Sequence, residues 1–183
     1  MVYCSPHMSG HNKWSKIKHK KASTDAQKSK IFGKMAQLLT AESKKNNGDR
    51  NSPGLKSAIE QAKSVNMPSQ NIDRAIERGA DADAASFESV TYEAYGPGGC
   101  ALLIETLTDN RNRTAAEIRH ILSLHNTAIS APGSAAWIFA RENNTVSPNT
   151  TVQVSEEDKE KIKSLVSDLT NQNDTQEVYT NEV

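Results

Sequence analysis

Residues 100–124 read Cys-Ala-Leu-Leu-Ile-Glu-Thr-Leu-Thr-Asp-Asn-Arg-Asn-Arg-Thr-Ala-Ala-Glu-Ile-Arg-His-Ile-Leu-Ser-Leu. The apolar run from Cys100 to Leu107 suits a buried central strand. Thr108-Asp109-Asn110 then supplies cap candidates, and Ala115, Ile118, Ile121 and Leu122 recur at helical spacing. Upstream, Val90 to Tyr95 alternates like a strand, and Gly96-Pro97-Gly98-Gly99 makes a tight turn into the central run. Downstream, Ser134–Ala140 and Thr150–Val154 read as two further strands. Ser155-Glu156-Glu157-Asp158 opens a helix with capping-box spacing, Asp standing in for the usual Glu, and its three acids complement the helix dipole. Ile162, Leu165, Val166 and Leu169 form that helix's buried stripe, and Glu177–Tyr179 closes with a short strand. From residue 100 the order is strand–helix–strand, strand–helix–strand, which predicts a ferredoxin-like split βαβ unit with right-handed crossovers.

The residues before this unit are of another kind. Ile31, Phe32, Met35, Leu38 and Leu39 fall on one helix face, with Lys28, Lys30 and Lys34 on the other. Asn46-Asn47-Gly48-Asp49 breaks that helix. Ser52-Pro53 reads as a cap with proline at the first helical position, before a stripe of Leu55, Ala58, Ile59, Ala62 and Val65. Met67-Pro68-Ser69 stops it, and a third helix uses Ile72, Ala75 and Ile76, with Gly79 placed as its left-handed terminator. Three short amphipathic helices are unstable singly and should pack as a bundle. The fold class expected is therefore α+β: a basic N-terminal segment (1–21), a three-helix bundle (22–80), a linker, and a ferredoxin-like α/β domain (88–183).

Charge is strongly segregated. Residues 1–50 carry 11 Lys/Arg against 3 Asp/Glu, although the chain of 183 residues has 22 of each and no formal net charge. From Met8 to Thr24 there is no acid at all. Such a head points to a polyanion, because lysines release counterions from phosphates with little sequence preference. The candidate nucleic-acid contacts are Lys13, Trp14, Lys16, Lys18, His19, Lys20, Lys21, Lys28, Lys30 and Lys34. Trp14 either stacks on an unpaired base or tucks into the bundle as an isolated Trp usually does. Arg111 and Arg113, at a helix start where backbone N–H groups favour anions, either touch a second phosphate or pair with Glu93, Glu105 or Glu117.

Other chemistries find little support. Gly96–Gly99 lacks the Gly-Lys-Ser/Thr ending of a phosphate loop. His120 and His125, five apart, do not share a helix face, and no metal set has usable spacing. No nucleophile, acid–base set or cofactor motif is assembled, so an enzyme is not expected. No apolar run approaches membrane-spanning length. Cys4 and Cys100 suggest no disulfide and a reducing, intracellular setting. Met8 is an alternative initiator to Met1, since the informative sequence starts at Ser9.

Four segments carry a resemblance. Gly10–Lys21 (Gly-His-Asn-Lys-Trp-Ser-Lys-Ile-Lys-His-Lys-Lys), Asn66–Ile76 (Asn-Met-Pro-Ser-Gln-Asn-Ile-Asp-Arg-Ala-Ile), Tyr92–Gly99 (Tyr-Glu-Ala-Tyr-Gly-Pro-Gly-Gly) and Leu107–Thr114 (Leu-Thr-Asp-Asn-Arg-Asn-Arg-Thr) resemble the signatures of the YebC/PmpR family. That family also includes mitochondrial translational activators of cytochrome c oxidase. Gly133–Phe139 and the tail from Ser147 fit too. The resemblance implies a third α/β domain inserted between the strands at Ala135–Ala140 and Thr150–Val154. Here only Arg141–Asn149 bridges that gap, so the chain resembles a two-domain version. The family implies a DNA-binding transcriptional regulator of the cytoplasm (the mitochondrial matrix in a eukaryote), or a ribosome-associated translation factor contacting ribosomal or transfer RNA. A protein-interaction adaptor, with the lysines serving only solubility, is the alternative of another class.

Overall fold

A computed structural model describes the backbone of residues 11–81, 83–142 and 145–183, and the side chains of residues 25–81, 83–141 and 146–183. It is mixed α+β. Three helices come first: α1 (His11–Lys45), α2 (Pro53–Ser64) and α3 (Ser69–Ala80). Strands β1 (Glu88–Tyr95) and β2 (Ala101–Thr108) follow, then α4 (Arg111–Leu124), a hairpin of β3 (Phe139–Glu142) and β4 (Thr145–Pro148), α5 (Glu156–Asn171) and β5 (Thr175–Thr180).

The helices form where the periodicity places them, and α1 runs in one piece from His11 through the end of the basic segment. It ends at the Asn47–Gly48 pair, both with positive φ (48° and 76°), where Gly48 N–H reaches back to the Ser43 carbonyl at 2.9 Å. Leu39 of α1, Leu55, Ala58 and Ala62 of α2, and Ile72, Ala75 and Ile76 of α3 close a core with Met67. Each fully buried large aliphatic there contributes about 1.5–3 kcal/mol.

Two local expectations in this part change. Ser52 occupies the N-cap of α2, but its hydroxyl accepts no cap hydrogen bond and is buried without a partner among the described residues. Gly79 is not a left-handed terminator. It lies inside α3, where a Cβ would stand 2.4 Å from the Thr40 carbonyl and 2.7 Å from Ser43 Cβ of α1. Glycine is needed for the close approach of two helices. Thr40 and Ser43 use that proximity to donate to the Ala75 and Ile76 carbonyls at 3.2 and 2.6 Å.

The second core is built on the sheet. Its order is β1-β2-β5, all antiparallel, with the apolar run of β2 in the centre. Tyr92 and Ala94 of β1 and Leu102 and Ile104 of β2 pack against Ile118 and Leu122 of α4 and Leu165 and Leu169 of α5. The Gly96–Gly99 turn is as expected, with Gly98 and Gly99 at φ 65° and 77°. Ser155 caps α5 by accepting from Asp158 N–H at 3.1 Å and donating to Asp158 Oδ2 at 2.8 Å.

The strands expected at Ser134–Ala140 and Thr150–Val154 are corrected. Ala136–Ile138 is a 3-10 turn and β3 begins only at Phe139. The cause is Glu93. Its buried carboxylate accepts the backbone N–H groups of Gly133, Ala135 and Ala136 at 2.6, 2.6 and 2.8 Å, so these donors go to a side chain and not to a ladder. Thr150–Val154 contributes a single parallel bridge, Val152 to Glu182. The partner of β3 is β4, in a separate two-stranded sheet. The turn expected at Asn143-Asn144 lies outside the described residues.

Candidate nucleic-acid interface

Helix α1 has 35 residues, about 50 Å at 1.5 Å per residue. It carries 10 lysines against Asp25 and Glu42 alone. Its backbone holds Lys13, Trp14, Lys16, Lys18, His19, Lys20 and Lys21 in the first three turns, and the side chains of all seven lie outside the described residues.

The following lysines are placed. Lys28 is exposed and has no ion pair among the described residues. Lys30 Nζ donates to Asn171 Oδ1 at 3.1 Å, and Lys34 Nζ donates to the Thr170 carbonyl at 2.7 Å. Both therefore reach the last turn of α5, where unpaired carbonyls and the dipole favour cations. Lys34 is half-buried. Burial pushes its ammonium below the usual lysine range, the Glu177 carboxylate opposes this, and the Lys30 charge adds to it.

The Thr108–Thr114 turn is organised by a residue that sequence reasoning missed. Asn110 caps α4, its Oδ1 accepting from Arg113 N–H at 3.1 Å, and Asn110 N–H donates to Thr108 Oγ1 at 2.9 Å. Beneath them lies the Asp174 carboxylate, 2% exposed. It accepts from Thr114 Oγ1 at 2.6 Å, Thr108 Oγ1 at 3.2 Å and Arg113 Nη2 at 2.8 Å. Burial by itself raises the Asp174 carboxyl. The hydrogen bonds from Arg113 and Thr114, the guanidinium charge and the Thr108 hydroxyl outweigh burial, and the group titrates below its ordinary value. Arg113 also pairs with Asp109 at 2.8 Å. Its carboxylates are thus Asp109 and Asp174, not Glu93, Glu105 or Glu117. Arg111 projects from the same turn, exposed, with no ion pair among the described residues.

Asp174 also joins the two basic regions. Gln37, one turn beyond Lys34, donates to Asp174 Oδ1 at 3.3 Å and accepts from Gln176 at 3.4 Å. Helix α1, through Gln37, and the arginine turn of α4, more than 70 residues apart in sequence, therefore meet at one buried carboxylate. Nothing in the local pattern around Asp174 marks it, because its partners come from three separate segments.

Burial pushes the Cys100 thiol up to about 11. His125 Nε2 lies 2.8 Å from Asp168 Oδ2. Among the described residues no group of three or more His, Cys, Asp or Glu side chains could hold a metal ion, and no helix is long and apolar enough to cross a membrane.

Residues 12–82 match the family model described as the TACO1/YebC protein N-terminal domain, and residues 87–144 match the TACO1/YebC second and third domain. A probable transcriptional regulatory protein of Desulfosudis oleivorans is 42% identical over 175 residues, 94% of this chain and 71% of that protein. Another, from Chlorobium chlorochromatii, is 47% identical over 147 residues, 79% of this chain and 59% of that protein. A third, from Finegoldia magna, is 49% identical over 137 residues, 74% and 57%. The chain thus spans between about half and seven tenths of these relatives. The crystal structure of a conserved hypothetical protein from Aquifex aeolicus is similar with a TM-score of 0.79 at 28% identity, covering 87% of this chain and 91% of that one.

Proposed function

This chain belongs to the TACO1/YebC family, and on that footing we propose that it is a non-enzymatic, nucleic-acid-binding regulator of gene expression, acting on DNA as a transcriptional regulator in the cytoplasm. The observation that carries this reading is the long helix α1, with 10 lysines and two acids on a chain of no net charge. Lys13, Lys16, Lys18, Lys20 and Lys21 grip phosphates, with Trp14 and His19 set among them. Lys28, Lys30 and Lys34 continue the stripe toward Arg111, whose turn Arg113 holds in place. The names of the curated relatives support regulation of transcription. Residues 22–80 and 88–183 act as two domains, and residues 141–149 stand where relatives carry their further domain, a reading supported by the family match stopping at residue 144.

The test is charge reversal at Lys16, Lys18, Lys20 and Lys21 in the full chain, with binding to a labelled duplex measured across salt concentrations. Four lost phosphate contacts lower the slope of log affinity against log salt by about 3.6. Unchanged affinity and slope would overturn the proposal. Co-sedimentation with ribosomes but no retention on duplex DNA at matched salt would move the same lysines onto ribosomal or transfer RNA.

A further inference from the structure

Where α1 crosses the C-terminal half of α5, the two helices leave an open groove of about 460 Å³. One wall is Gln27, Lys30 and Lys34, at successive turns of α1. The other is Lys163, Ser167 and Thr170, at i, i+4 and i+7 of α5. The floor is Ile31 and Val166, and Ile31 is 42% exposed despite its size. Among the described residues no carboxylate lines the groove.

This arrangement leaves an electrostatic deficit. Three ammonium groups face one concave surface. Lys30 and Lys34 spend one donor each on Asn171 and on the Thr170 carbonyl, which are neutral partners, and each retains two more. Among the described residues Lys163 has only a distant carboxylate, Glu160 at 3.9 Å, and its side chain is 79% exposed. Burial, opposed by the Glu177 carboxylate and reinforced by the Lys30 charge, weakens the protonation of Lys34, and an anion in the groove would relieve this. Anionic oxygens suit the rim, and a flat or aliphatic surface suits the floor.

We propose that this groove is a second segment of the nucleic-acid path, in which Lys30, Lys34 and Lys163 hold a phosphodiester while Ile31 and Val166 carry the sugar and base of one nucleotide. The inference rests on the nucleic-acid reading above and extends it to α5, a helix within residues 141–183, which carry 4 Lys/Arg against 9 Asp/Glu. Lys163 and Ser167 become binding residues. The polyanion then runs from the basic end of α1 onto the second core, and its binding tightens the contact of α1 with α5.

The experiment compares Lys163→Glu with Lys161→Glu in the full chain, using a labelled mixed-sequence oligonucleotide as DNA and as RNA. Both variants change the charge of α5 equally, but Lys161 lies outside the groove, paired with Glu157 at 2.7 Å. At roughly 0.1 M salt Lys163→Glu should weaken binding about eightfold for a duplex or about fivefold for a single strand, and flatten the salt slope by about 0.9 or 0.7 respectively, as for one lost contact. Lys161→Glu should do neither. Saturating oligonucleotide should also protect Lys163 from acetylation and leave Lys161 reactive. Equal effects of the two variants, or no protection of Lys163, overturn the groove while charge reversal in α1 still reports on the parent reading. Absence of binding by the unmodified chain overturns both.

Discussion

Replacing Gly79 by alanine tests whether helix α3 sits as close to α1 as described. Intrinsic propensity alone predicts a gain of about 1 kcal/mol, since glycine is the poorer residue inside a helix. Packing predicts the opposite. The new Cβ would lie 2.4 Å from the Thr40 carbonyl oxygen and 3.0 Å from Thr40 Cα, backbone atoms that a side-chain rotation cannot move. The helices must separate, at an overpacking cost of about 1–3 kcal/mol. Separation also stretches the buried bonds from Thr40 to the Ala75 carbonyl and from Ser43 to the Ile76 carbonyl, each worth about 1 kcal/mol. The net expectation is a loss of roughly 2–4 kcal/mol. Gly33→Ala is the control. It is the same substitution in α1, with nothing within 4 Å of the added methyl, and it should gain up to about 1 kcal/mol. Urea denaturation followed by far-UV circular dichroism measures both, with the slope m checked for constancy. A Gly79→Ala chain as stable as the parent would refute the close approach, whatever Gly33→Ala does.

Asp174→Asn should destabilise the second core by roughly 2–3 kcal/mol, because the amide has no charge for Arg113 and only one acceptor oxygen, so its NH2 must face either the Arg113, Thr114 and Thr108 donors or Gln37. The pH dependence has a definite sign. A carboxyl with a folded value below its ordinary 3.8 contributes its full stabilisation above that value and loses it as pH falls toward the folded one. Acid unfolding below about pH 4 should therefore be shallower in Asp174→Asn than in the parent, and parallel curves would count against the network. Cys100, buried and with its thiol at about 11, should resist alkylation at neutral pH until the chain unfolds. Mass spectrometry of the Cys100 peptide across a urea series reads this, and modification in the native range would contradict it.

Legibility in the sequence follows the range of the interaction. The cap of α5 is readable because Ser155 and Asp158 satisfy each other within one turn. The bundle core is readable because burial repeats with the helical period. β2 is readable because a central strand covered on both faces must be apolar. Gly79 was misread because helix termination and close helix approach both select glycine, and only the position of α1 separates them. The segment at Ser134–Ala140 looks like a strand locally, yet Glu93 takes the backbone donors of Ala135 and Ala136, 42 and 43 residues further on.

The sequence by itself determined the class of the molecule, α+β with basic helices ahead of a sheet, and the clustering of positive charge at one end. These depend on composition and on spacing within a few residues. Only the tertiary structure decided that Lys30 and Lys34 meet α5, that Asp174 ties the arginine turn to α1, and that Arg113 is held there while Arg111 projects. The physical reason is that a buried charge takes its partners from whatever the fold brings alongside it, and those neighbours come from distant segments that leave no period or motif in the chain.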